Sequence, residues 1–268
     1  MPGRVVTITS GKGGVGKTTI TANLAVALAL LGRRVTAIDA DIGLRNLDVI
    51  MGMENLILYD LVDVAEGSAH LSQALIRDKR LSGLHLLPAS QTRDKSAVTP
   101  EDMIGICQEL RADNDFILVD SPAGIERGFQ NAIAAADDIV IVTTPEVPAV
   151  RDADRIIGLI EAYDKGPGRL IVNRIDPSLV KRGDMLDTFD VIEFLAIDLL
   201  GVVPEDQAII VSANKGVPLS HDQNTQAGKA FHNIAHRLVG DQVAFMSIFD
   251  EPETLWSRLR RLVGSKKR

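Results

Sequence analysis

The stretch Gly11-Lys12-Gly13-Gly14-Val15-Gly16-Lys17-Thr18 decides the fold. It follows an apolar run, Val5-Val6-Thr7-Ile8, and leads into a helical pattern from Thr19 to Leu31. A strand, a glycine-rich loop ending in Gly-Lys-Thr and a helix, in that order, are typical of a P-loop, in which backbone N–H groups surround a phosphate. The stretch therefore predicts a nucleoside triphosphate site at the end of the first strand.

Each residue type in this loop has an expected part in holding a triphosphate. Glycine lacks a Cβ, so the backbone can take positive φ and bring several N–H groups close to one point. We expect Lys17 to reach the β- and γ-phosphates, the Thr18 hydroxyl to bind Mg²⁺ and Thr19 to reach the α-phosphate. The predicted phosphate contacts are Gly11, Lys12, Gly13, Gly14, Val15, Gly16, Lys17, Thr18 and Thr19.

Composition places the chain among globular proteins with one large domain. Its 268 residues carry 46% hydrophobic and 24% charged side chains, which is ordinary for such a domain. The net charge of −7 provides no overall field that would attract nucleic acid. Cys107 is the only cysteine, which excludes an intrachain disulfide and a cysteine-held iron–sulfur cluster. We expect a reducing cytoplasm, no signal peptide before the first strand and no membrane span.

Apolar β-branched runs alternate with helical stretches along the chain. This alternation predicts an α/β fold, a P-loop NTPase whose mostly parallel sheet is covered by helices on both faces in a doubly wound arrangement. Residues 1–248 are expected to form this ATPase domain, and residues 249–268 a separate amphipathic tail. The pattern also predicts a helix that is introduced by Lys181-Arg182-Gly183-Asp184-Met185 and ends at about Leu195, and a further β-like run from Ala208 to Ala213.

Three aspartates follow two predicted strands, where ligands bind in open α/β sheets. Asp120 ends Phe116-Ile117-Leu118-Val119, and a carboxylate in that position can point at the Mg²⁺ shell. Asp41 could orient the attacking water, and Asp39 could hold Mg²⁺ through water or stiffen its loop. Helix capping or turn formation is the alternative for these aspartates. After Asp120, we expect the Gly124 N–H to donate to the γ-phosphate.

The last residues form a cationic amphipathic pattern. From Trp256 to Arg268 the chain has six basic residues and no acidic one. A helix there would suit the headgroup boundary of an anionic membrane, although a terminal helix docked on its own core is equally compatible with the pattern alone. The apolar stripe, which would be the membrane contact, consists of Leu255, Trp256, Leu259, Leu262 and Val263.

The loop, with Lys12 in addition to Lys17, resembles the deviant P-loop of the MinD/ParA family of ATPases. Asp120-Ser121-Pro122-Ala123-Gly124-Ile125-Glu126 and Gly43-Leu44-Arg45-Asn46-Leu47-Asp48 also match that family, the second of them its MinD members in particular. The resemblance implies an ATP- and Mg²⁺-dependent homodimer in which Lys12 reaches the partner's phosphates in trans. It implies catalytic roles for Lys12, Lys17 and Asp41, and metal-binding roles for Thr18, Asp39 and Asp120.

The same resemblance implies where the base binds and where regulators dock. In the family, segments matching Asn173-Arg174 and Val202-Val203-Pro204-Glu205-Asp206 flank adenine, which makes Asn173, Arg174, Pro204 and Asp206 candidates. An Asn amide can pair with a donor and an acceptor on a base edge, but Asn173 could instead cap a turn. The helix after Glu146, with Arg151 and Arg155 among its acidic residues, is implied as a contact for regulators and for the dimer; a solvated face is the alternative.

For the MinD members of the family, the implied activity is a switch that positions the division septum. ATP joins two chains, the paired tails hold the inner face of the cell membrane, and a MinC-like division inhibitor is recruited there. A MinE-like activator stimulates hydrolysis and releases the dimer. Intrinsic turnover is expected to be slow, because the sequence has no evident strong general base.

Two other classes remain as alternatives. A ParA-type ATPase that partitions DNA or other cargo would share the loop and both lysines, but DNA binding needs a basic surface to neutralise phosphates, and the net charge disfavours it. We therefore expect no specific nucleic acid partner. A small-molecule P-loop kinase would need an acceptor pocket and an Arg-rich lid, and no such lid is evident.

Overall fold

The computed structural model describes residues 2–246. The predicted membrane contacts Leu255, Trp256, Leu259, Leu262 and Val263 lie outside these residues. Eight strands are present in the described part of the chain: β1 (Arg4–Thr9), β2 (Val35–Asp39), β3 (Ile76–Arg77), β4 (Leu84–Leu87), β5 (Phe116–Asp120), β6 (Asp138–Thr143), β7 (Arg169–Ile175) and β8 (Asp198–Pro204). The helices are α1 (Lys17–Leu30), α2 (Leu47–Met51), α3 (Leu61–Ala65), α4 (Leu71–Ala74), α5 (Pro100–Leu110), α6 (Arg127–Ala134), α7 (Val147–Ala162), α8 (Pro177–Arg182), α9 (Thr188–Leu195), α10 (Gln207–Asn214) and α11 (Gln226–Val239).

The strands form one sheet in the order β3-β4-β2-β5-β1-β6-β7-β8. Every neighbouring pair is parallel except β3 with β4 at one edge. Successive residues of a strand point to opposite faces, and in β1 Val6 and Ile8 pack on the side of α1 and α11, whereas Val5 packs on the side of α5. Helices therefore cover both faces, which confirms the predicted fold class.

The order of the strands brings the predicted site together. β1 lies between β5 and β6, and β5 lies between β1 and β2. The register pairs Asp39 with Asp120 and Ile8 with Asp120. The loops that leave β1, β2 and β5 consequently emerge side by side at the carboxyl edge of the sheet, where α/β proteins bind ligands.

The β-like run predicted from Ala208 to Ala213 is wrong, because this segment is helix α10. Asp206 caps the helix by accepting the Ala208 N–H at 2.8 Å. Ala208 and Ile209 pack against the core, while Ile210 and Val211 face solvent. The run is apolar without being buried, so hydrophobicity alone could not distinguish a half-exposed helix from a strand.

The helix predicted to follow Lys181-Arg182-Gly183-Asp184-Met185 and to end at about Leu195 is present as α9, which begins after its cap Asp187. Lys181 and Arg182 belong to the preceding helix α8, which is followed by Gly183 with a φ of 77°. A glycine in the left-handed region is a common helix stop. None of the helices within residues 2–246 combines the length and the apolar character that a bilayer span requires.

Candidate nucleotide site

The loop between β1 and α1 is shaped by three of its glycines, each for a distinct reason. Gly14 and Gly16 have φ angles of 80° and 98°, which favour glycine. A Cβ on Gly11 would lie 2.1 Å from the Asp152 carbonyl oxygen of α7, so this glycine permits close packing. Gly13 has no such constraint, since its nearest neighbour would lie at 3.9 Å. Of the four glycines, only Gly14 and Gly16 use the positive φ that glycine permits.

The two lysines of the loop have opposite surroundings. Lys17 begins α1 and is 8% exposed. Burial lowers the pKa of its ammonium, while the nearby carboxylates of Asp120 and Asp41 oppose that shift. Lys12 is exposed to solvent, and its carbonyl accepts the Ser10 hydroxyl at 2.8 Å. Lys17 thus lies inside the cradle, and Lys12 is available to a group outside the chain.

Asp39 and Asp120 form a buried carboxylate pair at the ends of β2 and β5. Burial and then the neighbouring Asp39 raise the pKa of Asp120 to about 8, against opposing hydrogen bonds from the Thr18 and Thr21 hydroxyls. The Thr21 Oγ1–Asp120 Oδ1 distance is 3.2 Å. Burial likewise raises the pKa of Asp39 to about 6. Two acidic groups in one water-poor site repel each other when both are ionised.

This donor set fits a hard divalent cation. Mg²⁺ prefers oxygen ligands, keeps several waters and is usually held by one or two carboxylates together with phosphates. Asp120 with the Thr18 hydroxyl beside it provides such oxygens at the end of the phosphate loop. No group of three or more His, Cys, Asp or Glu in the part of the chain described could hold a metal by itself. The residues therefore fit Mg²⁺ bound jointly with a nucleotide.

Asp39 also stiffens the loop that follows β2, which was one of its two predicted roles. Its carboxylate accepts the N–H groups of Asp41, Asn46 and Leu47 at 3.0 to 3.1 Å. Further along, the Arg45 Nε lies 3.0 Å from a carboxylate oxygen of Asp48, which is fully buried. These contacts fix the loop in a shape that keeps Asp41 close to Lys17.

Gly124 is placed near the phosphate loop but with its N–H already engaged. It has a φ of 89° and donates to the Ser10 carbonyl at 3.2 Å. The expected donation to a γ-phosphate is therefore not present in this conformation. It would require the bond to Ser10 to be exchanged for one to phosphate.

The residues implied for the base lie together at the ends of β7 and β8. Asn173 Nδ2 donates to the Val15 carbonyl at 2.7 Å, so this side chain helps to hold the phosphate loop in place. Its Oδ1 is buried without a hydrogen-bond partner among the described residues, which fits a donor such as an adenine amino group. Pro204 is buried, whereas Arg174 is exposed at 3.9 Å from Glu205. Asp206 caps α10.

Three contributions to the site were not anticipated from sequence. Thr21 bridges Asp120 and the Lys17 carbonyl; its position one helical turn after Thr18 was the available signal. The Ser10 carbonyl holds Gly124. The contact of Gly11 with Asp152 joins the phosphate loop to α7, and a contact between residues so far apart in sequence has no local signal.

The comparisons with known proteins agree with this geometry. Residues 6–219 match the CobQ/CobB/MinD/ParA nucleotide binding domain. The septum site-determining protein MinD of Bacillus subtilis is 49% identical over 264 residues, covering 98% of each chain. Its Escherichia coli K12 counterpart is 47% identical over 265 residues, covering 96% of this chain and 98% of that protein.

Two solved structures show the same likeness in three dimensions. The MinC:MinD cell division protein complex of Aquifex aeolicus contains a chain with a TM-score of 0.86 and 46% identity, covering 91% of this chain and 99% of that one. The septum site-determining protein MinD complexed with Mg-ADP from Pyrococcus horikoshii has a TM-score of 0.80 and 29% identity over 88% of this chain and 96% of that one.

Proposed function

The chain belongs to the MinD family within the CobQ/CobB/MinD/ParA nucleotide-binding group, and on that premise we propose that it is an ATP-driven dimeric switch that positions the division septum. ATP and Mg²⁺ bind at the carboxyl edge of the sheet, two chains close over the nucleotides, and the dimer attaches to the inner face of the cell membrane. Hydrolysis returns the chain to the cytoplasm.

One observation carries the proposal: the cradle is complete within one chain, yet its second lysine is exposed. Lys17, Thr18 and Asp120 converge on one point at the start of α1. A further cation inside this cradle would be redundant, whereas an exposed Lys12 can reach the phosphates of a second chain, as an arginine finger does. Dimer closure then depends on the nucleotide.

The residues of this chain divide the chemistry of hydrolysis among them. Lys17 and the backbone N–H groups of the loop hold the phosphates, and Mg²⁺ held by Thr18 and Asp120 would neutralise their charge. Asp41 orients the attacking water beside Lys17. These residues position the reacting groups and stabilise charge, but none of them is a strong base, so intrinsic ATPase turnover is slow. A partner protein can raise the turnover by adding the groups that complete the site.

The proposed partners are a MinC-like division inhibitor and a MinE-like activator. A relative in this family forms a complex with MinC. Helix α7 offers a suitable surface, because Arg151, Asp154 and Arg155 are exposed on it. The Asp152 backbone of α7 packs against Gly11 of the phosphate loop. A protein bound to α7 can therefore influence the nucleotide site through the contact between α7 and the loop.

The proposed attachment to lipid uses the cationic tail that begins at Leu255. Each basic residue near an anionic surface contributes about 1 kcal/mol, so one tail binds weakly and reversibly. Two tails on one dimer bind much more tightly, since the second binding step is intramolecular.

Cosedimentation of the full-length chain with phosphatidylglycerol vesicles tests this function. We expect stronger binding with Mg²⁺ and a non-hydrolysable ATP analogue than with Mg²⁺ and ADP, and little binding to neutral phosphatidylcholine vesicles. Equal binding in both nucleotides would contradict the switch. ATP-dependent retention on duplex DNA without vesicle binding would favour the ParA-type alternative.

A further inference from the structure

Arg237, near the end of α11, makes four contacts that the nucleotide site does not use. Its Nε donates to the Val243 carbonyl at 3.0 Å and its Nη2 to the Ala244 carbonyl at 2.8 Å. Its Nη1 donates to the Leu200 carbonyl of β8 at 3.0 Å. The guanidinium carbon lies 4.1 Å from the centre of the Phe245 ring, within cation–π range.

The charge of Arg237 is partly buried. Burial lowers the pKa of this guanidinium, and its hydrogen bonds within the described residues go to main-chain carbonyls. Burying part of a cation is costly unless its donors are satisfied. Here the planar fork of Arg satisfies them with main-chain carbonyls, which a lysine ammonium cannot match in geometry. The arrangement therefore holds a backbone segment.

That segment is the last part of the described chain before the tail. Helix α11 ends at Val239 and is capped by Gly240, which has a φ of 99°, and residues 241–246 follow without regular structure. Val243 and Ala244 are tied to Arg237, and Met246 packs against the core beside Val202 and Ala230. Since β8 is the edge strand of the sheet, the chain departs from a fixed place on that edge.

We infer that Arg237 is a positioning residue that fixes the point where the C-terminal tail leaves the domain and so sets how readily the second tail of a dimer reaches the membrane. This inference rests on the proposed function. With the Arg237 contacts made, the chain is held to the domain as far as Val243 and Ala244. Without them, the last fixed point before Leu255 moves back to the end of α11.

Moving the fixed point back along the chain lowers the effective concentration of the second tail, because more residues then separate that tail from the domain. The direction in which the chain leaves the domain is then no longer fixed either. We therefore expect vesicle binding of the ATP-bound dimer to weaken about two- to threefold when the contacts are removed, whereas binding through a single tail is unchanged.

The test compares Arg237→Lys and Phe245→Ala with the unaltered full-length chain. Arg237→Lys keeps the charge, so its long-range attraction to anionic lipid is preserved. Phe245 is 53% exposed, so removing its ring leaves the core intact. Arg182→Lys, at an exposed arginine paired with Asp184, is the matched control. Amide hydrogen exchange over residues 241–246 checks that the segment has been released.

Phosphatidylglycerol vesicle isotherms are recorded with Mg²⁺ and either a non-hydrolysable ATP analogue or ADP, and dimerisation is measured by light scattering. Both variants should dimerise normally and lose affinity only with the analogue. Unchanged affinity with the analogue, despite faster exchange, would overturn the inference while leaving the proposed function intact. An equal loss in both nucleotides would indicate a merely structural role and would also overturn it. If the unaltered chain itself binds equally in both nucleotides, the proposed function fails first.

Discussion

Lys12 and Lys17 belong to the same loop, yet one is exposed and the other is buried. Lys17 is enclosed with Asp120 and Asp41, whose charges partly offset the cost of its burial. Lys12 is exposed. The difference predicts that the two lysines can be separated experimentally, since one should be needed for binding and the other for closure.

Lys12→Ala should bind ATP with an affinity close to that of the unaltered chain, while ATP-dependent dimerisation and partner-stimulated hydrolysis should be lost. The reason is that the cradle within one chain does not use the Lys12 side chain. Fluorescent nucleotide titration and light scattering measure the two properties. Lys17→Ala, as the comparison, should lose binding itself. Normal dimerisation of Lys12→Ala would argue against action in trans.

The buried carboxylates of Asp39 and Asp120 predict how the free energy of unfolding depends on pH when Mg²⁺ and nucleotide are absent. The pKa of Asp39 and of Asp120 is above the ordinary value in the folded chain, at about 6 and about 8. The folded state therefore keeps protons that the unfolded state has released. The resulting stabilisation is complete below pH 4 and is lost as pH rises through 6 and then 8.

We expect the melting temperature in EDTA to fall between pH 6 and 8.5 for this reason. A stability loss of about 1 kcal/mol would lower it by ~2–4 °C in a domain of this size. Asp120→Asn imitates the protonated carboxyl, so it should flatten the decrease and melt no lower than the unaltered chain at pH 8. Circular dichroism melts across this range provide the measurement, and identical slopes for both proteins would refute the assignment.

At the scale of elements, the phosphate loop and α7 are in direct contact through Gly11. A Cβ there would need the Asp152 backbone to move, because a separation of 2.1 Å from its carbonyl is far below any van der Waals distance. Gly13 lies in the same loop, and a Cβ there would contact only Ala123, at an ordinary van der Waals distance of 3.9 Å. The pair is therefore a matched test of whether that contact supports the site.

Gly11→Ala should destabilise the fold by about 1–3 kcal/mol, as overpacking usually does, and should weaken nucleotide binding by displacing the loop. Gly13→Ala should change stability by less than ~1 kcal/mol. Urea unfolding followed by circular dichroism, with nucleotide titration alongside, measures both effects. If the two variants behave alike, the contact between the loop and α7 is not important for the site.

On the scale of the whole molecule, charge is unevenly distributed along the sequence. The tail from Trp256 onward carries six basic residues, although the chain as a whole has a net charge of −7. The remainder is therefore strongly acidic, and an anionic surface should repel it. We therefore expect attraction to such lipids to come from the tail.

A chain that ends at Leu255 should consequently retain ATP binding and ATP-dependent dimerisation but lose binding to phosphatidylglycerol vesicles. Nucleotide titration, light scattering and cosedimentation check the three properties in one preparation. Continued cosedimentation of the truncated chain would show that another surface attaches it to lipid. The proposed switch would then need a different anchor.

The sequence by itself determined the fold class and named the candidate residues of the site, because the determining signals are local. Glycine spacing before Lys17, the apolar run that ends in Asp120 and the alternation of strands with helices each depend on neighbouring residues. Tertiary structure decided what depends on distant residues: Asp39 beside Asp120, Gly124 bonded to Ser10, Asn173 beneath Val15 and Arg237 holding the end of the described chain. It also decided that the segment after Asp206 is a helix, since an apolar run takes its form from the surface on which it packs.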